Sequence, residues 1–351
     1  MLFAFGSNGS GQLGITGTED VSSPTRCVYH QSHIPKLPLR VAAGGNHTLV
    51  LMSAGDMYAT GSNDHGRIGL PKSLVAVESF NYVPPPEKDC KFRFCSATWE
   101  ASILITTDNI IYTCGVGNKG ELGQGVGSTT SPLPQQLSGF PPVATEVVDL
   151  SSCVGHTVAV LSNGEAYAWG NGRKGQLGEP SAVVWSPRKI AGLHFKVIRA
   201  VCGREFTHLL GDPKYGQHAV LGADKWNVVS SAPSSILGWK DIVASWGSLY
   251  VLNTTGTLLS WGRNDHGQLA PGALPLIAKI AAGSEHCLAL TWSGELLAWG
   301  WGEHGNCGPI FNEYGDVTEH WNSVTLQDAM SPSAIVGIGA GCATSWLWKQ
   351  D

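Results

Sequence analysis

Small residues that run into alternating apolar positions recur along the chain, as VAAGGNHTLVL from Val41, LSSCVGHTVAV from Leu150, AVCGREFTHLL from Ala200 and IAAGSEHCLAL from Ile280. Period-two alternation of this kind predicts half-buried β-strands. The pairs Ala54-Gly55, Asp108-Asn109, Asn163-Gly164, Thr255-Gly256 and Ser293-Gly294 each separate two such runs. Pairs of this type supply the positive φ that tight hairpins need, so each run turns back on itself. The returning strand ends in a second phrase: an apolar residue or Trp, a Gly, a polar pair, a Gly, an optional Gln-Leu and a closing Gly. A Pro-containing polar loop (Ser23-Pro24, Ser131-Pro132, Ser186-Pro187) and another short apolar run complete a unit of about four strands.

The first glycine of the phrase stands at Gly6, Gly61, Gly115, Gly170, Gly262 and Gly300, with a worn copy at Gly222. Successive intervals are 55, 54, 55, 52, 40 and 38 residues, and seven units fill the sequence. A repeated four-stranded meander of this length predicts an all-β, seven-bladed propeller. Residues 1–351 are expected to form that single domain. The opening run MLFAFG is the second half of a hairpin, and GAGCATSWLW near the other end is a first half. Pairing the N- and C-terminal strands in one blade closes the ring and removes two exposed sheet edges.

Composition narrows the function. The chain holds 22 Lys and Arg against 27 Asp and Glu, and residues 280–348 contain seven acids and neither Lys nor Arg. An acidic face of that kind repels nucleic-acid phosphates, so direct nucleic-acid binding is not expected. Nine Cys without a C-x-x-C pair predict reduced thiols and no zinc site, hence a cytoplasmic and nuclear setting. No apolar run reaches the length of a membrane span, and no membrane association is expected.

The chemical-looking residues fall on repeat positions. His47, His156 and His286 share one slot, which predicts a hydrogen bond repeated from blade to blade. Asp64-His65, Asp265-His266 and Glu303-His304 share another, with no nucleophile, metal or cofactor motif beside them. The spacing Gly170-x-Gly172-x-x-Gly175 lies in a β-meander and does not open a helix, so it is no dinucleotide loop. We therefore expect no catalytic residue, no cofactor and no metal. Trp169, Trp261 and Trp299 precede the phrase glycine and read as core between blades. Trp226, Trp239, Trp246, Trp301, Trp321 and Trp346 stand outside the pattern and are candidates for an interface.

The phrases at residues 5–14 (FGSNGSGQLG), 169–178 (WGNGRKGQLG) and 261–269 (WGRNDHGQL), alternating with A-A-G-x-x-H-x-L, resemble the regulator-of-chromosome-condensation repeat. The resemblance covers essentially the whole chain and implies the seven-bladed propeller. Residues 300–309 (GWGEHGNCGP) and 341–346 (GCATSW) resemble one fungal branch, the alpha-tubulin suppressor or killer-toxin-insensitivity propellers. That branch implies a heterodimer with the small CSL-type zinc-finger electron carrier of diphthamide biosynthesis. Through it, the branch implies a role with Elongator in modifying tRNA wobble uridines. Residues 310–332 match nothing in this pattern. The expected contact patch is Trp301, Glu303, His304, Asn306 and Trp346, flanked by acids from Glu313 to Asp328. Trp301 would supply buried area, and Glu303 and His304 directional hydrogen bonds. The founding activity of the repeat family, guanine-nucleotide exchange on a Ran-type GTPase, is the alternative, and regulation of tubulin is a further one.

Deleting residues 1–5 is expected to lower the thermal unfolding temperature far more than an ordinary terminal trim. Unchanged unfolding of that truncation contradicts closure by the terminal strands.

Overall fold

The computed structural model describes residues 1–30, 37–326 and 334–350. Seven antiparallel sheets follow one another, and in each the chain runs outward from an innermost strand, here strand a, to strands b, c and, where present, d. Blade 2 shows the full pattern: a is Pro38–Ala43, b is His47–Met52, c is Met57–Ser62 and d is Ala76–Val83. The innermost strands of neighbouring blades touch in an unbroken cycle, so the sheets stand around a central axis as a propeller.

Blade 1 takes a and b from Ile335–Ala340 and Thr344–Lys349, and c and d from Leu2–Gly6 and Val21–Arg26. Leu2 faces Trp348 and Gly6 faces Thr344 across the closing pair. The closure expected from the chain ends is the one observed.

Five blades have four strands, and blades 5 and 6 have three. The expectation of four strands throughout fails there for want of chain. Only residues 223–238 and 263–276 connect strand c to the next strand a in those blades, where the intervals shrink to 40 and 38. Without a fourth strand, the outermost strands His218–Gly222 and Leu258–Gly262 are largely half-buried, whereas Met57–Ser62 in blade 2 is buried throughout.

Two devices hold adjacent blades together. The first is close backbone approach. The second glycine of the phrase has positive φ in Gly66 (+76°), Gly120 (+80°) and Gly305 (+82°), and each faces strand d of the next blade. A Cβ on Gly66 would lie 1.9 Å from the Pro132 carbonyl oxygen, and one on Gly305 would lie 2.7 Å from the Ser22 Cα. Blade 5 has no strand d, and the corresponding Gly175 accordingly has room, its nearest neighbour being Ser181 Oγ at 3.5 Å. In blade 5 itself, which faces the equally trimmed blade 6, Asn227 replaces this glycine.

The second device is the recurrent histidine. Nε2 lies 3.1 Å from Ser102 Oγ for His47, 3.0 Å from Thr207 Oγ1 for His156 and 2.9 Å from Ser345 Oγ for His286. Each partner belongs to strand b of the following blade, so the expected hydrogen bond crosses the seam. Ser102 and Ser345 pass their own protons back to the carbonyls of Arg67 and Asn306. The two hydroxyls therefore accept from the histidines, which carry the proton on Nε2 and leave Nδ1 as an unpartnered acceptor. Blade 5 has Phe206 at the histidine position, and its partner position in blade 6 is Leu249; both pack in one apolar cluster.

The remaining core is also inter-blade. Trp169 and Trp299 are fully buried, and their indole N–H groups donate to Glu121 O and Gln268 O in the phrase of the preceding blade, at 3.1 and 2.9 Å. All nine cysteines are free thiols. Among the described residues no helix is long and apolar enough to cross a membrane.

Gly66→Ala should destabilise by more than about 3 kcal/mol, because left-handed strain adds to the overlap with Pro132. Gly175→Ala should cost only the strain, about 1–2 kcal/mol; equal losses in urea unfolding would contradict the seam assignment. Burial pushes His47 down to about 3, and His156 and His286 to about 4, from an ordinary value of 6.5. Below pH 6.5 the unfolded chain binds protons that the fold refuses, so stability falls as pH drops from 6.5 towards 4. At pH 5 each of these histidines should cost up to about 2 kcal/mol. His156→Gln should flatten that slope in urea titrations at pH 7.5 and 5.

Candidate partner-binding interface

The phrase loops of all blades emerge on the face of the a–b turns, opposite the starts of the a strands and the b–c hairpins. In blade 7 this loop spans residues 301–309. Its geometry begins with Gly300, whose φ of +100° brings its backbone so near Glu285 O that a Cβ would lie 2.6 Å away. Trp301 N–H then donates to the same carbonyl at 2.9 Å. The half-buried Trp301 indole meets the His304 ring edge to face at 5.2 Å. His304 Nδ1 lies 2.6 Å from Asp20 Oδ2 in blade 1, and Asp20 Oδ1 accepts from the Asn8 backbone N–H at 2.7 Å. Glu303 is exposed. Trp301, Glu303 and His304 therefore form one surface patch at the seam of blades 7 and 1.

Asn306 and Trp346 do not join them. Asn306 is fully buried; its side chain donates to Trp301 O at 2.7 Å, and its carbonyl accepts from Ser345. It shapes the loop from within. Trp346 is fully buried among Leu2, Ala4, Leu13 and Val50. The expectation that these two side chains meet a partner is corrected by their burial.

Of the flanking acids, Glu313 and Glu319 are exposed, Asp316 is buried against His266 Nδ1 at 2.9 Å, and Asp328 lies outside the described residues. The unmatched stretch 310–332 supplies strand d of blade 7, Asp316–Val324, with its last residues, from 327, outside the described ones. Just before that strand Ile310, Phe311 and Tyr314 are exposed beside the patch.

The acid–His pairs are not dyads. His266 and His304 bind Asp316 and Asp20 of the next blade, while Asp265 pairs with Arg263 and Asp64 with Ser62 and Arg67. Among the described residues no group of three or more His, Cys, Asp or Glu is gathered to hold a metal.

The same face carries a second feature, continuous with the first through Glu285. Trp99 and Trp246 face each other across the axis with ring centroids 5.8 Å apart. Their backbones belong to a belt of hydrogen bonds between the a–b turns, including Trp99 N to Val154 O at 2.8 Å and Trp246 N to Ser284 O at 2.9 Å. The Arg204 guanidinium lies 5.2 Å from the Trp246 ring and that of Arg263 lies 5.0 Å from the Trp226 ring. Arg263 also pairs with Glu285, whose carboxyl is pushed up by burial and pulled down by Gln268 and Arg263. Four indoles and two guanidiniums thus form an arc in which the flat apolar surfaces remain partly open. Arrangements of this type supply buried area and cation–π contacts to a protein partner.

Trp226 and Trp246 were legible as irregular tryptophans, whereas Trp239, buried under the same blade, was not separable from them. Trp99, Arg204, Arg263 and Glu285 were missed. Trp99 and Trp246 both fill the a–b turn that holds Gly45 in blade 2, and that shared position is the signal that aligning the turns would have revealed.

Known proteins bear on this arrangement. The chain is 33% identical to an RCC1 repeat-containing protein of Schizosaccharomyces pombe, with 100% of this chain and 99% of the relative covered. It is 26% identical to a secretion-regulating guanine nucleotide exchange factor of Bos taurus, over 82% of this chain and 72% of that one. Among solved structures, Prp20p of Saccharomyces cerevisiae, described with its binding to Gsp1p and histones, superposes with a TM-score of 0.83 at 21% identity, covering 100% and 92%. Human WBSCR16 gives 0.82 at 19%, covering 100% of both chains. The family model of the RCC1-like domain matches residues 1–347, and the chain belongs to the RCC1-like family.

Proposed function

We propose that this propeller is a non-catalytic regulatory protein whose phrase-loop face binds a Ran-type small GTPase and promotes release of its nucleotide. The observation that carries the reading is the arc of Trp99, Trp246, Trp226 and Trp301 with Arg204 and Arg263 on one face. A partner that covers those rings desolvates large apolar area while the guanidiniums meet its acidic groups. The exchange-factor name of the bovine relative supports the choice of partner. Fold alone would not, since propellers host many functions.

A second reading rests on a separate observation, the GWGEHGNCGP stretch whose Trp301, Glu303 and His304 stand together at the rim. It makes the partner the small CSL-type zinc-finger protein, and the role support of Elongator-dependent tRNA modification and diphthamide synthesis. Both readings place the protein in cytoplasm and nucleus.

Calorimetric titration against a Ran-type GTPase and against the zinc-finger protein of the same organism separates them. Under the first reading the GTPase binds, its nucleotide release accelerates, and Trp226→Ala with Trp246→Ala weakens binding at least tenfold at an unchanged unfolding temperature. Under the second the zinc-finger protein binds one to one, and Trp301→Ala with Glu303→Ala weakens it. Binding that survives all four substitutions removes this face from consideration.

A further inference from the structure

The opposite face carries a different chemistry, and the inference drawn from it goes beyond the partner reading. Six of the seven a strands have a register shift near their first residue, at Pro38/Arg40, Phe92/Phe94, Val147/Asp149, Trp239/Asp241, Ile277/Lys279 and Ile335/Gly337. A bulge turns the strand and re-aims the side chain beside it. Around the axis, the residue after the bulge lines a funnel of about 760 Å³, a size that suits a small ligand.

The charges on this ring are segregated. On blades 4 to 6, Arg199 of the fifth blade lies 3.4 Å from Asp149 and 3.1 Å from Asp241 and bridges the two carboxylates, leaving the trio with one negative charge instead of two. Asp149 further accepts the Ala200 N–H at 2.8 Å and Asp241 the Ile242 N–H at 2.9 Å. On blades 7, 1 and 2 the ring reads Lys279, Gly337 and Arg40. Gly337 places no side chain between the two cations, and the Trp348 ring fills the space where its Cβ would stand, 2.1 Å from that point. Arg40 donates to the Leu150 carbonyl at 2.8 Å and Lys240 to the Ala278 carbonyl at 2.9 Å. Among the described residues neither they nor Lys279 has a carboxylate within ion-pair distance. The funnel lining thus carries an excess of positive charge in a chain whose formal net charge is −5. Buried Nε atoms of Arg199 and of one further lining residue, Arg93, have no hydrogen-bond partner.

We propose that the funnel binds a small phosphate-bearing polyanion, held between Lys279 and Arg40 over Gly337 and steadied by Lys240. Phosphate oxygens would accept from an ammonium and a guanidinium that now meet only carbonyls or water, and charge-assisted bonds of this kind are the strong ones. Arg199, bridging Asp149 and Asp241, halves the negative charge that an anion would otherwise meet on the far side, where the lining cations still outnumber the acids.

Calorimetry of the full chain at 150 mM KCl with inositol hexakisphosphate, and flotation with vesicles carrying a phosphoinositide, test the site. Saturable one-to-one binding of the soluble probe supports a free polyanion, and binding to vesicles alone supports a lipid headgroup. Binding to neither overturns the proposal. Lys240→Glu with Lys279→Glu alters two exposed side chains free of ion pairs and should weaken binding at least tenfold, and Arg40→Gln should do so independently. Arg173→Glu with Lys174→Glu, on the phrase-loop face, changes net charge equally and should leave affinity within twofold. Equal losses in the two double variants would show non-specific attraction and overturn the site.

Discussion

Backbone-to-backbone contact at the seams between blades is the constraint on which the structure depends. A propeller has no continuous sheet and no central core, so each blade is held by what it presents to its neighbours. Where the next blade has a strand d, the phrase loop lies on it with no space for a single methyl group. The phrase glycine is crowded where the next blade is complete; facing a three-stranded blade, Gly175 has room, and Asn227 replaces the glycine altogether. The histidine-to-hydroxyl bond and the indole-to-carbonyl bond cross the same seams from inside. Together they satisfy polar groups that would otherwise be buried alone.

Seams also decide where chemistry can appear. The phrase loops converge on one face, and their variable positions sit in the open: Trp226 and His304 are the same loop position in different blades. At the other end the bulged starts of the a strands converge on the axis. One face therefore presents flat aromatic surface with guanidiniums lying over it, suited to a broad protein partner. The other presents a narrow cationic mouth, suited to a compact anion. A single repeat builds both because its two ends diverge independently.

The blade number, the closing strand pair and the core tryptophans were readable because each is periodic. Positions set by the second repeated segment, strand b, carry no mark in the phrase. Trp346 looked irregular against the phrase, yet it lies two residues after Thr344, which occupies the histidine slot, and so belongs to a buried strand b. Asn306 shares its position with Arg67 and Gln12 and is interior for the same reason. The three-stranded blades were foreshadowed by the 40- and 38-residue intervals, but a short interval does not say which strand is lost. The arc of Trp99, Arg204 and Arg263 depends on proximity between blades, and no local pattern encodes it.

Closure of blade 1 by segments from opposite ends of the sequence has a consequence for biosynthesis. Leu2–Gly6 leaves the ribosome more than three hundred residues ahead of its partner Thr344–Lys349. At about 5–20 residues per second this strand, paired on one side with Val21–Arg26, keeps its other edge open for roughly tens of seconds while blades 2 to 7 assemble behind it. The nascent chain is thus a six-bladed open arc with a sticky leading edge, a state that a chaperone is suited to guard until the ring can shut.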